Sequence, residues 1–302
     1  MKENNIDTPL DLISDTDEII QEIALSTKCY FYDTSSFRNH ASIPCRKLIL
    51  QYFVQMQGVV IITRSVLREL CSADGSLWNE HIAYVSEMKE MGIKVLLIYE
   101  ENIAELLQSC YSNVPQINVW LSNAVKCVKS KYGAIENVLK HDDVLKQEVL
   151  VNYRHQDRLL GRRFFEKMRL GKEINDNLGE ELLCVCLHLL TNIPEAVSYK
   201  YIMLTDDKNA VRLLGKVKQN VAKYETQKYL SAHTSANLCW HMKNSGIITC
   251  KEEVLQILNG EKGNEQITTY CSDRYALFPE MQSMTCEVLA EKIMQGEITI
   301  YM

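Results

Sequence analysis

The sequence predicts an α/β fold, a three-layer α/β/α sandwich around a central parallel sheet. Short continuous apolar runs recur along the chain, as expected for strands that are buried on both faces. Segments with helical spacing of apolar residues separate these runs, and this alternation is typical of parallel sheets. The 302 residues are 46% hydrophobic and 24% charged, which provides enough apolar material for a large core and argues against a disordered chain.

The alternation of strands and helices is clearest in the first third of the chain. Residues 10–26 combine apolar and acidic residues at helical spacing and predict a first helix. The segments that follow are a strand at Cys29–Tyr32, a helix over about 46–57, a strand at Val59–Ile62, a helix from Ser65, a helix over about 77–91 and a strand at Lys94–Tyr99.

Residues from about 100 to 172 show only helical patterns and predict a helical insert. The alternation then resumes with a helix at Leu178–Leu190, a strand at Tyr201–Leu204 and a helix at Lys208–Val217. We therefore expect an N-terminal helical arm (1–27), a main domain (28–225) and a helical C-terminal extension (226–302) that packs on the core and ends in a strand at Glu297–Tyr301.

Composition and motifs argue against several classes of protein. The first residues mix charged and apolar side chains unlike a signal peptide, and no apolar run is long enough to span a bilayer, so we expect a cytoplasmic protein that does not bind membranes. The eleven cysteines include no Cys-x-x-Cys pair, which argues against a zinc ribbon. The net charge of −6 argues against a protein that coats duplex DNA. Nucleotide-binding glycine loops and the Gly-x-Ser-x-Gly elbow do not occur in the sequence.

Acidic side chains recur where predicted strands end or predicted helices begin. They are Asp33, Glu69, Asp176, Glu180, Glu181, Asp206 and Asp207. The carboxyl ends of parallel strands meet at one edge of a sheet, so we expect several of these carboxylates to lie near one another. Close carboxylates repel unless a proton or a cation joins them, and Mg²⁺ or Mn²⁺ is the natural partner of oxygen ligands. Taken singly, an aspartate at such a position also suits a helix cap or a turn.

Four short motifs occupy these strand ends and helix starts. Asp33-Thr34-Ser35-Ser36 follows the first strand, and Val66-Leu67-Arg68-Glu69-Leu70 follows the second. An acidic helix start spans residues 175–181, and Thr205-Asp206-Asp207 follows the strand at Tyr201–Leu204. In this order and context, the four motifs resemble the pattern of the PIN-domain ribonucleases.

The resemblance covers residues 28–99 and 174–220, and it implies a metal-dependent endoribonuclease that cleaves single-stranded RNA by two-metal phosphodiester hydrolysis. The implied catalytic acids are Asp33, Glu69, Glu180 and Asp207. The implied ligands of Mg²⁺ or Mn²⁺ are these four with Asp176 and Asp206. Asp176 competes with Glu180 for the place of the third acid and suits a helix cap, whereas Asp206 is able to share the role of Asp207. The implied contacts to substrate or to a metal-bound water are Thr34, Ser35 and Thr205.

A basic stretch precedes the acidic helix start. Residues 154–172 contain seven Lys or Arg and two acidic side chains, a net charge of +5, within a chain of −6. Arg154, Arg158 and Arg162 recur every four residues and predict one face of a helix, with Arg163, Phe164 and Phe165 beside it. Such a face is able to bind phosphates and to stack on unpaired bases. A solvated helix face with local ion pairs explains the same pattern.

Two other functions stay open. One is a catalytically silent PIN-like module that binds RNA or protein, and the other is a toxin or defence nuclease of the same fold. DNA also stays open as a substrate, because a metal site contacts the phosphate and not the sugar. A protein partner or a homo-oligomer is compatible with the sequence.

Overall fold

A computed structural model of the chain describes residues 12–72, 75–172, 176–193, 200–222, 229–259, 266–274, 276 and 278–301. Within these residues, a five-stranded parallel sheet has the strand order β3-β2-β1-β4-β5. Its strands are β1 (Lys28–Tyr32), β2 (Gly58–Thr63), β3 (Val95–Ile98), β4 (Tyr201–Leu204) and β5 (Leu230–His233). The parallel sheet of the predicted fold is therefore confirmed.

Helices cover both faces of this sheet. One layer contains α1 (Thr16–Leu25), α6 (Glu100–Cys110), α7 (Val114–Val128), α8 (Ala134–His141), α9 (Asp143–Leu150), α10 (Gly161–Leu170), α11 (Leu178–Leu190) and α12 (Lys208–Ala222). The other layer contains α2 (Thr34–Ser42), α3 (Arg46–Gln55), α4 (Arg64–Leu70), α5 (Asn79–Glu90), α13 (Ser235–Asn244), α14 (Lys251–Asn259) and α15 (Cys286–Gln295).

The central strand β1 shows how the sequence produces this three-layer arrangement. Successive side chains of a strand point to opposite faces of the sheet. Cys29 and Phe31 accordingly join the core under the first layer, whereas Tyr30 and Tyr32 join the core under the second. All four side chains are fully buried, which is why this strand appears in the sequence as an uninterrupted apolar run.

The helical insert is confirmed over α6 to α10, and α6, α7 and α8 pack against α11. Helix α11 is the most deeply buried helix of the first layer. All of its residues are buried except Glu180, which is half-buried. Glu180 is therefore the residue of α11 whose side chain reaches the edge of the hydrophobic core.

The C-terminal region differs from the predicted helical extension. β5 belongs to the central sheet, beside β4. A second, antiparallel sheet of order β7-β6-β8 contains β6 (Gln266–Asp273), β7 (Glu280–Thr285) and β8 (Ile298–Ile300). The predicted strand at the end of the chain is confirmed as β8, but the extension as a whole mixes helices with strands. Residues 1–11 of the predicted N-terminal arm lie outside the described residues.

No helix in the described ranges has both the length and the apolar character needed to cross a bilayer.

Candidate active site

Asp33 directly follows β1, at the carboxyl edge of the central sheet. It caps α2, where the backbone N–H of Ser36 donates to Oδ1 at 2.7 Å and the Ser35 hydroxyl contacts both carboxylate oxygens at 3.1 Å. The Thr205 hydroxyl donates to Oδ2. Burial raises the pKa of Asp33 to about 6, although the hydrogen bonds from Thr205, Ser36 and Ser35 oppose that rise. The carboxylate is therefore held rigidly but is costly to ionise in this environment.

Glu69 lies near the end of α4, one helical turn after β2. Its Oε2 accepts a hydrogen bond from the Thr34 hydroxyl, so the residue after Asp33 positions a second acid. A Cβ atom at Gly179 would lie 2.7 Å from Oε1 of Glu69. Only glycine at that position allows the first turn of α11 to approach the carboxylate so closely.

Glu180 follows Gly179 and adds a third acid from a third segment. Burial raises its pKa to about 7, and the charges of Glu69, Asp33 and Asp207 contribute to the rise. Its Oε2 is buried and has no hydrogen-bond partner within the described part of the chain. A buried carboxylate oxygen without a donor, surrounded by other carboxylates, is the arrangement that a cation would stabilise.

Asp207 and Asp206 follow β4 but have different surroundings. Asp207 caps α12, where Oδ1 accepts from the backbone N–H groups of Asn209 at 2.5 Å and Ala210 at 3.2 Å. Both oxygens of Asp206 instead accept from Ser235, one from its backbone N–H at 2.8 Å and one from its hydroxyl at 2.5 Å. The structure therefore places Asp207 with Glu180 and directs Asp206 toward the start of α13.

Lys172 supplies a positive charge among these acids. Its Nζ lies 2.7 Å from Oε1 of Glu69 and 2.7 Å from Oδ1 of Asp176. Burial alone lowers the pKa of Lys172, but the hydrogen bonds to Asp176 and Glu69 outweigh that effect and the pKa is raised. Asp176 also accepts from the backbone N–H of Leu178, the first residue of α11, at 3.1 Å, whereas the N-cap position itself is Asn177.

The carboxylates do not form a finished ligand set in this structure. Among the described residues, no three His, Cys, Asp or Glu side chains are arranged to hold one metal ion. Coordination by several of these acids therefore needs side-chain rotation, and Glu69 must exchange Lys172 for the ion. The donor chemistry nevertheless suits a hard divalent cation, because every candidate ligand is a carboxylate oxygen and one of these oxygens is buried without a partner.

The basic stretch differs from its predicted arrangement. Arg154 and Arg158 precede α10 and lie outside any helix, so they do not share a helical face with Arg162. Phe164 and Phe165 are fully buried and cannot stack on a base.

Most cations of this stretch are paired with carboxylates. Arg158 and Arg163 contact Glu148, Arg162 contacts Glu105, Lys167 contacts Asp142, and Arg169 contacts Glu100 and Glu101. The interpretation as a helix face with local ion pairs describes these residues better than a phosphate-binding face.

A cleft of about 720 Å³ opens beside the acids, and Asp176, Glu180, Glu181 and Asp207 line it. Sequence reasoning missed the residues that form the rest of this cleft. They include Tyr132, Lys140, Arg212 and Lys216, which lie with Lys131 along the cleft. It also missed the contact of Lys172 with Glu69, because these residues are far apart in sequence and meet only through the packing of the insert.

Comparisons with protein-family models, curated proteins and solved structures give no match for this chain. The resemblance to PIN-domain ribonucleases therefore rests on the four sequence motifs alone.

Proposed function

We propose that the protein is a divalent-metal-dependent endoribonuclease that hydrolyses phosphodiester bonds in single-stranded RNA. The observation that carries the proposal is the environment of Glu180. Its Oε2 is buried without a hydrogen-bond partner, and its pKa is raised in part by the charges of Asp33, Glu69 and Asp207. Four acids from four segments around such an atom support a site for a cation.

Mg²⁺ or Mn²⁺ would be held by Asp33, Glu69, Glu180 and Asp207. Such an ion supplies the Lewis-acid chemistry that hydrolysis of a phosphodiester requires. The chain itself positions the carboxylates before the ion arrives. Thr205 holds Asp33, Thr34 holds Glu69, and the start of α12 holds Asp207. The three hydroxyl residues expected at the substrate, including Ser35, therefore also orient the acids.

Glu180 is the best candidate for moving a proton. A general base works best when its pKa lies near the working pH, and burial raises the pKa of Glu180 to about 7. Its Oε2 has no donor to compete for the lone pair. An oxygen that binds an ion cannot also accept a proton. Glu180 would therefore accept a proton from the attacking water in the arrangement in which Asp33, Glu69 and Asp207 hold the ion without it.

Metal binding and RNA cleavage test the proposal together. We expect calorimetry with Mn²⁺ to show binding by the wild-type protein, and gels to show cleavage of unstructured RNAs with Mg²⁺ or Mn²⁺. Asp33→Asn and Glu180→Gln should each lower the Mn²⁺ affinity and the rate of RNA cleavage by about 10²-fold, because each removes a negative charge from the ligand set. Asp273→Asn is the control, since that residue pairs with Lys292 in the C-terminal sheet.

The proposal is wrong if the wild-type protein leaves varied RNAs intact with either metal and Asp33→Asn and Glu69→Gln do not change metal binding. Cleavage of single-stranded DNA at the same rate would extend the substrate class, because the acids contact a phosphate and not a sugar.

One observation favours a second candidate function, a catalytically silent RNA-binding module of the same fold. Lys172 neutralises Glu69 and Asp176 without any ion. A lysine at this position is able to replace a cation as the stabilising charge. A silent module should show no Mn²⁺ binding that depends on Asp33 or Glu180, so the calorimetric experiment separates the two functions.

A further inference from the structure

The cleft beside Glu180 has two walls. One wall is formed by residues 130–134, between α7 and α8, with part of α8, and the other is formed by the first half of α12. Asp207, at the start of α12, connects the second wall to the acidic site. Arg212 and Lys216 follow along the same helix, about one helical turn or 5.4 Å apart. The cleft therefore runs from the acids along a row of cations.

The cations of this cleft are available to a ligand. Lys131, Lys140, Arg212 and Lys216 are all exposed, and within the described ranges none of them has a carboxylate at ion-pair distance. The basic stretch before α11 contrasts with them, because most of its Lys and Arg side chains contact Glu or Asp. These four cations, free of carboxylate partners in the described part of the chain, thus line the cleft together with its acids and do not belong to the stretch with the highest charge density in the sequence.

Tyr132 gives the cleft an accessible aromatic ring. The side chain is 88% exposed, and the Lys131 ammonium lies 5.2 Å from the centre of the ring. Accessible aromatic rings beside cations are the surfaces on which proteins that bind single strands stack unpaired bases.

The turn that carries Tyr132 is fixed to the acidic helix. Glu181 on α11 accepts from the backbone N–H of Ile135 at 2.8 Å, at the start of α8. A Cβ atom at Gly133 would lie 2.2 Å from Oε1 of Glu181 and would displace this carboxylate, so glycine favours the contact. Glu181 follows Glu180 directly, so the backbone of the turn that carries Tyr132 is held beside the candidate active site.

We propose that this cleft binds a single-stranded polynucleotide, with Arg212 and Lys216 on its phosphates and Tyr132 stacked on an unpaired base. This inference rests on the proposed function, because the nuclease reaction places the scissile phosphate at the acidic end of the cleft. Stacking on Tyr132 needs an exposed base face, and a duplex does not offer one. Single-stranded RNA and single-stranded DNA share the required chemistry, so binding to each is measured separately.

The test is fluorescence anisotropy with labelled, unstructured oligonucleotides of about 12 nucleotides, in RNA and DNA forms, at several salt concentrations and with EDTA to prevent cleavage. For the double variant Arg212→Ser with Lys216→Ser we expect weaker binding. We also expect the slope of the logarithm of the binding constant against the logarithm of the salt concentration to be smaller in magnitude by about 1.4, since each phosphate contact on a single strand contributes about 0.7 to that slope. Arg162→Ser with Lys167→Ser changes the net charge equally at paired, exposed residues and should leave the dissociation constant within about twofold.

Tyr132 is tested by two substitutions. Tyr132→Ser should weaken binding about 5- to 150-fold, the range expected for one stacked base. Tyr132→Trp should restore binding, because stacking needs an aromatic ring and not the hydroxyl. The inference is wrong if the charge pair in the cleft and its control weaken binding equally, if Tyr132→Ser binds like wild type, or if a duplex of the same length binds as tightly as the single strand.

Cleavage measured on the same variants separates this inference from the proposed function. If the cleft variants lose binding but neither wild type nor Asp33→Asn cleaves RNA, the cleft inference stands and the nuclease proposal fails. If wild type cleaves, Asp33→Asn does not, and the cleft variants bind and cleave normally, the nuclease proposal stands and the cleft inference fails. Tighter binding of the RNA form identifies RNA as the ligand, and tighter binding of the DNA form identifies DNA.

Discussion

The Nζ atom of Lys172 lies 2.7 Å from Oε1 of Glu69, and the same ammonium contacts Asp176. The ammonium of Lys172 therefore balances the negative charge of both carboxylates, which would otherwise repel each other. A divalent ion that binds Glu69 must displace this contact. Lys172 thus stabilises the metal-free protein and competes with the ion for the same carboxylate.

Replacing Lys172 with methionine should separate these two effects. Lys172→Met leaves Glu69 and Asp176 without their cation, so we expect the free energy of unfolding in EDTA to fall by about 1–3 kcal/mol. Saturating Mn²⁺ should then raise the melting temperature more in the variant than in wild type, because the ion no longer displaces an ammonium. Lys167→Met, at an exposed pair with Asp142, is the control. If saturating Mn²⁺ raises the melting temperature equally in wild type, Lys172→Met and Lys167→Met, Lys172 does not compete with the ion.

Gly179 should be required for activity because of its contact with Glu69. In Gly179→Ala the added Cβ would lie 2.7 Å from Oε1 of Glu69 and would displace this carboxylate. A misplacement of about 1 Å at a reacting site costs about 10²-fold in rate, so we expect a loss of that size in RNA cleavage. The free energy of unfolding measured with denaturant should change by about 1 kcal/mol or less, because alanine favours the helix whereas the contact of its Cβ with Glu69 opposes folding.

Gly215→Ala provides the matched control within α12. A Cβ at Gly215 meets nothing within 4 Å among the described residues. The same substitution there should stabilise the protein by about 0.5–1 kcal/mol and leave cleavage unchanged. If both alanine variants lose activity to the same extent, the close approach of α11 to Glu69 is not what limits the reaction.

The fold was predictable because its central strands are buried on both faces. β4 is Tyr201–Leu204, as the apolar run predicts. β5 was missed because Leu230-Ser-Ala-His233 contains only two apolar residues, although all four are buried beside β4. An edge strand with small polar residues carries too little apolar signal to be distinguished from a loop.

The candidate site was predictable only in part, for a related reason. Asp33 directly follows β1, and Asp207 lies three residues after the end of β4. Glu69 lies in the helix that follows β2, and Glu180 lies in the first turn of α11, so sheet topology brings these acids toward one edge. The partners of the cations depend on tertiary packing instead. Arg162 contacts Glu105, which is 57 residues away in the sequence. Charge density in the sequence therefore indicated the basic stretch, whereas pairing makes the cleft the more accessible cationic surface.

The pH dependence of stability should reveal the two acids with raised pKa values. The pKa of Asp33 is raised from 3.8 to about 6 and that of Glu180 from 4.5 to about 7, mainly by burial. Between about pH 4 and 7 these two groups bind more protons in the native state than in the unfolded state, so their contribution to the free energy of unfolding in EDTA falls as the pH rises. Four histidines with lowered pKa values contribute with the opposite sign below about pH 6.5, namely His40, His81, His233 and His241. Each group contributes at most about 1.4 kcal/mol per pH unit to this slope.

Urea unfolding at pH 5, 6, 7 and 8 checks this sign. Asp33→Asn and Glu180→Gln each remove a negative contribution to the slope, so stability should rise more steeply, or fall less steeply, with pH in each variant than in wild type. Asp273→Asn should leave the slope unchanged, because Lys292 lowers the pKa of Asp273 and moves its titration below this range. Mn²⁺ binding needs the ionised carboxylates and should strengthen over the same range. A difference in stability between wild type and the Asp33→Asn and Glu180→Gln variants that is the same at every pH would contradict these pKa directions.

Asp206 and Asp207 are adjacent, and the structure predicts opposite results for the same substitution. Asp207 caps α12 and lines the cleft, and asparagine caps helices as well as aspartate. Asp207→Asn should therefore fold normally but lose about 10²-fold in cleavage and in Mn²⁺ affinity. Asp206→Asn should keep most of its activity and lose about 1–2 kcal/mol of stability, because one of its two contacts with Ser235 is lost. If Asp206→Asn is the inactive variant, the acid after β4 that serves the site is Asp206, and the side chain that binds Ser235 must turn toward Glu180 during the reaction.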